Sequence, residues 1–340
     1  MIIGQTRAQG VFKDLIVTNR FVYGLTENGR IRVFNKTNGD FVKKEIGNTS
    51  EILQMAIDNL GNIIIADKDN TVKKYNEQKD SWDIISKYSG SIFGIVFSSK
   101  NQCYLITDKG IEDIGTHKLY FSKESLNHQI NYKDKWGKPY CYYIDRNDRI
   151  WLGFGYGEWG GNLFIFETKD HTFLIPTLGN FDIALWPIKS FFEDSLSVYL
   201  STGLQHMMNS GAIVRFDDLK TSIVLESKSH WSKPSGKDST KTMISAEYIG
   251  PGAYNIANKS FYFYSQHGIF KGDRLKDLTK IENWEIILKP KLHWNGGQPD
   301  AVGSPMNVLK LAIIDAERFV FLSQNDGIGF FNGKELIMIR

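Results

Sequence analysis

YCYYIDRNDRIWLGFGYGEWGGNLFIFETKDHTFLIP, residues 140–176, resolves into four strands and three connections. YCYYID, RIWLGF, NLFIFET and FLIP carry the Ile, Phe, Tyr and Trp of pleated, half-buried surface, set among polar and small residues. RND and KDHT are short polar turns, where Asp and Asn suit tight backbone geometry. A longer glycine-rich loop separates the two middle strands. Four strands therefore fit into about forty residues, and no helical period interrupts them.

The same unit recurs along the chain. Its second strand reads FVYGLT from Phe21, IIIAD from Ile63, CYLITD from Cys103 and IWLGFG from Ile150, then VYLST from Val198, FYFYS from Phe261 and FVFLS from Phe319. Each copy closes on a small or polar residue. The anchors step by 42, 40, 47, 48, 63 and 58 residues, the spacing of stacked or radial repeats. A sandwich would show fewer strands and no long-range period, and a straight solenoid would need polar end caps that neither terminus offers. The reading is all-β: one seven-bladed β-propeller of four-stranded antiparallel blades, with blades at 10–47, 51–88, 91–122, 139–177, 187–226, 251–289 and 306–340. The closing strand of the ring is left open between KELIMIR (334–340) and residues 1–4.

The blades IDRNDRIWLGFGYGEWGGNLFIFE (144–167) and IDNLGNIIIADKDNTVKKYN (57–76) resemble those of two-component-regulator-type and NHL/YVTN-like propellers, in a rhythm of aspartate turn, glycine and Ile-rich strand. The seventh blade is similar; the fifth and sixth are more diffuse. What the resemblance implies is fold, because such blades serve sensors, scaffolds, lyases and lactonases alike.

Composition narrows the function classes. Apolar residues make up 41% of 340, with 13% aromatic, which suits a packed core. No run approaches the length of a membrane helix. The start, MIIGQTRAQGVFKD, lacks a secretory pattern, which reads as cytoplasmic, or as secreted with the leader absent. Cys103 and Cys141 both fall in strands, so no disulfide framework is expected. A net charge of +3 gives no argument for nucleic acid.

Up-and-down strands send the connectors and the second-to-third loops to one face. The long segments 122–139, 227–246 and 289–305 and the enlarged loops 153–161 and 203–211 all belong there; 273–283 belongs opposite. Those five carry Trp136, Trp159, Trp231 and Trp294, with His128, His206, His230 and His293, and sum to a charge of +5. Exposed aromatics and lysines (Lys228, Lys233, Lys237, Lys241) suit a protein or anionic-polymer partner. For each tryptophan the alternative is a plug between blades. The candidate ligand-binding residues are Trp136, Tyr156, Glu158, Trp159, His206, His230, Trp231, His293, Trp294 and Asp300.

Catalytic signals are weak. GFGYGEWGG (153–161) lies between strands, not before a helix, so it is no phosphate loop. There is no nucleophile elbow and no HExxH or CxxC. Asp58, Asp145 and Asp315 recur at equivalent turn positions and read as repeat grammar. HWNGGQPD (293–300) is the most site-like string, and a divalent metal over the central channel would need His206, His267 and His293 to converge. WPIK (186–189) opens the fifth innermost strand and is placed to line that channel. The expectation is a non-enzymatic recognition scaffold without a cofactor. Its competitors are a channel enzyme (a metal-dependent lactonase-like hydrolase or a polysaccharide lyase) and a glycan-binding lectin.

Overall fold

Among the described residues of the computed structural model, one two-stranded ribbon accompanies seven sheets, each of four antiparallel strands in chain order. The seven sheets make the blades. They span 12–43, 52–87, 92–120, 141–174, 188–228, 252–288 and 308–339, and three single 3-10 turns are the helical content of the described residues. The structure describes residues 12–43, 45–46, 50–205, 209–231, 243–244, 246–293 and 308–340, with backbone alone at 43, 230, 231, 243 and 244. Innermost strands Phe12–Val17, Ile52–Ile57, Ile92–Phe97, Cys141–Ile144, Ile188–Glu193, Gly252–Asn255 and Val308–Ile313 each pack on the next, and the last packs on the first. The molecule is a seven-bladed β-propeller.

Burial along the second strands explains their composition. Ile63–Asp67, Ser260–Ser265 and Phe319–Ser323 are buried throughout, because neighbouring blades cover both faces of each sheet. The cores are accordingly shared between blades. Phe192 and Tyr199 of the fifth blade pack with Phe261, Phe263, Phe270 and Trp284 of the sixth. Outer strands such as Ser81–Lys87 face solvent, where even Ile84 and Ile85 are exposed.

Two polar positions recur and fix the hairpins. At the end of the second strand, Thr26, Asp67, Thr107, Thr202, Ser265 and Ser323 are all sealed, and each side chain bonds the backbone that follows. Blade four has Phe154 there, and its hairpin runs on into a wider loop. At the other end, Thr18, Asp58, Ser98, Asp145, Asp194, Asn255 and Asp315 accept backbone N–H groups of the first turn. An Asx or Ser/Thr turn thus closes every first hairpin. The same turns hold blade to blade: the Asn59 amide donates to the Ser98 carbonyl at 2.7 Å, and the Asn255 amide to the Asp315 carbonyl at 2.6 Å.

The seventh blade takes all four strands from one stretch, ending with Leu336–Ile339. Residues 1–4, the other candidate for the closing strand, lie outside the described residues; among the described residues closure rests on side chains. Phe12, Leu15, Val22 and Phe34 pack with Val320, Leu322, Ile328 and Phe330. The Lys310 ammonium meets Asp14 at 2.5 Å, and Arg318 donates to the Thr37 carbonyl at 2.9 Å.

Candidate functional site

The connector 121–140 packs Tyr132 and Trp136 into the core shared by the third and fourth blades. Trp136 is 2% exposed; its ring packs among Phe121, Phe154, Phe164 and Phe173. Its indole N–H donates to the Ser122 carbonyl at 3.1 Å. Trp136 is therefore withdrawn from the recognition surface: it plugs the groove under its own connector. Tyr132 lies beside it, and its hydroxyl is hydrogen-bonded to that of Tyr156. Burial, and then the Tyr132 hydroxyl, raise the pKa of Tyr156. Tyr156 is accordingly a brace for the loop.

Asn127 and Asn162 join connector and hairpin. The buried Asn127 amide donates to the Trp159 carbonyl at 2.9 Å and to the Gly161 carbonyl at 3.1 Å. Asn162 accepts from the Leu126 N–H at 3.1 Å and donates to the Ser125 hydroxyl at 2.7 Å. A single 3-10 turn, Gly157–Trp159, forms the hairpin tip, and Gly160 follows it at φ +73°. A Cβ at Gly160 would stand 2.0 Å from the Ala184 carbonyl oxygen, so glycine alone lets the neighbouring turn Ile183–Leu185 close in. On these two turns Trp159 is 67% and Leu185 56% exposed. Glu158 is exposed beside Trp159. Asp182 caps the second turn by accepting from the Ala184 N–H at 2.9 Å.

Other candidates fall elsewhere. His293 ends the described part of its connector, and its ring Nδ1 meets Asp326 at 2.5 Å. The Asp326 carboxylate also accepts the His293 N–H at 2.6 Å, and Asn325 donates to the His293 carbonyl. That pairing clamps a connector to the seventh blade. His230 and Trp231 form the short strand His230–Trp231, paired with Met243–Ile244. Their side chains, and His206, Trp294 and Asp300 entirely, lie outside the described residues. His267 pairs with Glu247 at 2.7 Å. Among the described residues no three His, Cys, Asp or Glu side chains are grouped to hold a metal ion. On the opposite face, Arg274 of the segment after the sixth blade's third strand meets Asp194 at 3.0 Å.

The channel mouth holds Lys189, the last residue of the WPIK string, with two tyrosines that the sequence reading did not single out. Lys189 sits at a one-residue bulge between Ile188 and Ser190. Equivalent bulges occur at Lys13, Leu53, Phe93 and Leu309. Tyr140 and Tyr248, from the connectors before the fourth and sixth blades, flank the Lys189 ammonium. Neither tyrosine belongs to a motif; position at the head of an innermost strand is the signal that finds them.

No model of a protein family matches the chain, and no curated protein matches it by sequence. Solved structures do match in shape. The β-propeller domain of Cps50 (Swd1) from Myceliophteria thermophila is similar with a TM-score of 0.59 at 10% identity, over 97% of this chain and 99% of that one. U3-55K gives 0.56 at 10% identity, over 93% and 89%. The extracellular domain of BT3049 from B. thetaiotaomicron gives 0.55 at 14% identity, over 95% of this chain and 40% of that one. At such identities the likeness is one of fold.

Proposed function

We propose that the chain is a non-enzymatic recognition module that docks a protein partner on its loop-rich face, around Trp159 and Leu185. One observation carries this reading: a largely exposed indole stands on a turn whose backbone is fixed from below by Asn127. Apolar side chains held rigid before a partner arrives lose little conformational freedom on binding, which favours them as interface anchors. The anionic-polymer reading draws on the lysines at 233, 237 and 241, which lie outside the described residues.

Site-specific photo-crosslinking in the native host tests the surface. A photoreactive residue at position 159 is expected to trap one discrete protein, and Leu185→Asp to suppress the adduct. The same probe at Leu60, exposed on the opposite face, is expected to trap none of it. Equal yields at the two positions, or no adduct at 159, overturn the reading. Salt-sensitive retention on heparin without a protein adduct assigns the face to an anionic polymer. Stacking of sugars on Trp159 in a glycan array assigns it to a lectin.

A further inference from the structure

Lys189 is 7% exposed, yet among the described residues its ammonium has no hydrogen-bond or ion-pair partner; its contacts are the faces of Tyr140 at 4.5 Å and Tyr248 at 5.8 Å from the ring centroids. Nor is the ammonium among the sealed polar atoms that lack a partner, so it keeps an opening. Tyr140 shows where that opening leads. Tyr140 is 40% exposed and directly precedes the innermost strand Cys141–Ile144, so it stands at the axial channel that the innermost strands surround.

Lysines near the heads of other innermost strands have carboxylates acting on them. The Cys141 thiol is raised by burial, while Lys189 and Lys310 pull it the other way. Lys310 is already matched by Asp14 at 2.5 Å. At Lys13 burial is opposed first by Glu51. At Lys189 the Cys141 thiol, kept neutral by burial, supplies no anion, and the phenols of Tyr140 and Tyr248 lie against the ammonium. Among the described residues one positive charge is thus left without an anion, between two aromatic faces.

We propose that the loop-face mouth of the axial channel binds a small organic monocarboxylate, whose carboxylate pairs with the Lys189 ammonium while its body lies against the Tyr140 ring. A single unmatched ammonium suits one negative charge; a phosphate dianion would call for more donors. The Tyr140 ring gives a flat surface for an aromatic or sugar body. Tyr248 is buried and held in place: its N–H donates to the Gln266 side chain at 2.7 Å, and the neighbouring Glu247 N–H donates to Ser227 at 2.8 Å. The site is therefore built before the ligand arrives. A buried unpaired lysine lowers stability, and such groups concentrate where function uses them. This site is separate from the docking surface at Trp159 and stands or falls without it.

Isothermal titration of the full chain at neutral pH with benzoate and glucuronate tests the assignment, with inorganic phosphate and benzyl alcohol as comparisons. At least one carboxylate is expected to bind with a Kd of about 1 mM or tighter, and Lys189→Met to weaken it by about tenfold or more. The variant is expected to melt above the wild type, which separates lost binding from lost folding. Should it fail to fold, acetylation mapped on the wild type by mass spectrometry replaces it: the bound carboxylate is expected to slow modification of Lys189 selectively. No saturable binding of either carboxylate, unchanged binding or protection, or phosphate binding as tightly as the carboxylates each overturns the proposal.

Discussion

Among the described residues no anion stands beside the Lys189 ammonium, and burial brings it down to about 8 from its usual 10.5, with Cys141 opposing. Between those two values the unfolded chain keeps a proton that the folded chain has released, so stability climbs with pH across that window. At neutral pH the folded state carries the full penalty, about 3 kcal/mol from the size of the shift. Lys189→Met is therefore expected to stabilise the protein at pH 7 by about 1–3 kcal/mol, and the gap to close as pH rises towards 10.5. Urea unfolding of both proteins from pH 7 to 10.5 measures it; a gap that widens with pH contradicts the assignment. Two tryptophans make a parallel contrast. Trp136→Ala removes a ring from a packed cluster and is expected to cost about 3–5 kcal/mol, whereas Trp159→Ala stays within about 0.5 kcal/mol. Melting curves of the two variants decide this. Both rings sit in glycine-flanked loops and look alike in sequence. What buries one of them is Phe154 and Phe164, in strands that the local pattern around Trp136 does not contain.

Turns are the elements that local chemistry specifies best. Asp58, Asp145 and Asp315 bond backbone groups two to four residues away, so their role is visible in any window that holds the turn. Asn127 is the opposite case, since its two acceptors lie 32 and 34 residues further along. Nothing around SLNHQ announces that partnership, which is why the brace beneath Trp159 was not legible while the hairpins were. Asn127→Ala strands two carbonyl groups and is expected to cost about 1–3 kcal/mol. Amide hydrogen exchange should quicken over 125–132 and 157–161 and stay unchanged in the second and third blades; uniform quickening would mean the asparagine supports the ring as a whole. Gly160→Ala acts on the same joint through the Ala184 carbonyl and is expected to reproduce that pattern. The bulges at the channel mouth were illegible for another reason. One extra residue offsets the alternation by one, which in so short a strand looks the same as an imperfect pattern; the WPIK string placed Lys189 near the channel, but only the observed register shows it on a bulge.

At the scale of the whole ring, the sevenfold period was readable because every blade must repeat the same buried second strand between two neighbours. Partner identity was not, because loops obey no such repetition. Shared cores also set how the molecule unfolds. Each sheet leaves apolar faces that only its neighbours cover, so single blades have little stability of their own. Urea denaturation is expected to show one transition, with tryptophan fluorescence and far-ultraviolet circular dichroism at the same midpoint. A chain stopped at residue 293, lacking the seventh blade, is expected to lose that cooperative transition; two separated transitions in the full chain would show independent blades. The seam has a further consequence for synthesis. Since every wedge is made from one continuous stretch, a ribosome releases finished wedges in turn, and each is covered on one side as soon as its successor emerges. The exception is the first. Its Phe12, Leu15, Val22 and Phe34 wait for Val320 and Phe330, so the nascent protein carries that bare patch until the seventh wedge has been made, and that patch is where a chaperone has most to shield.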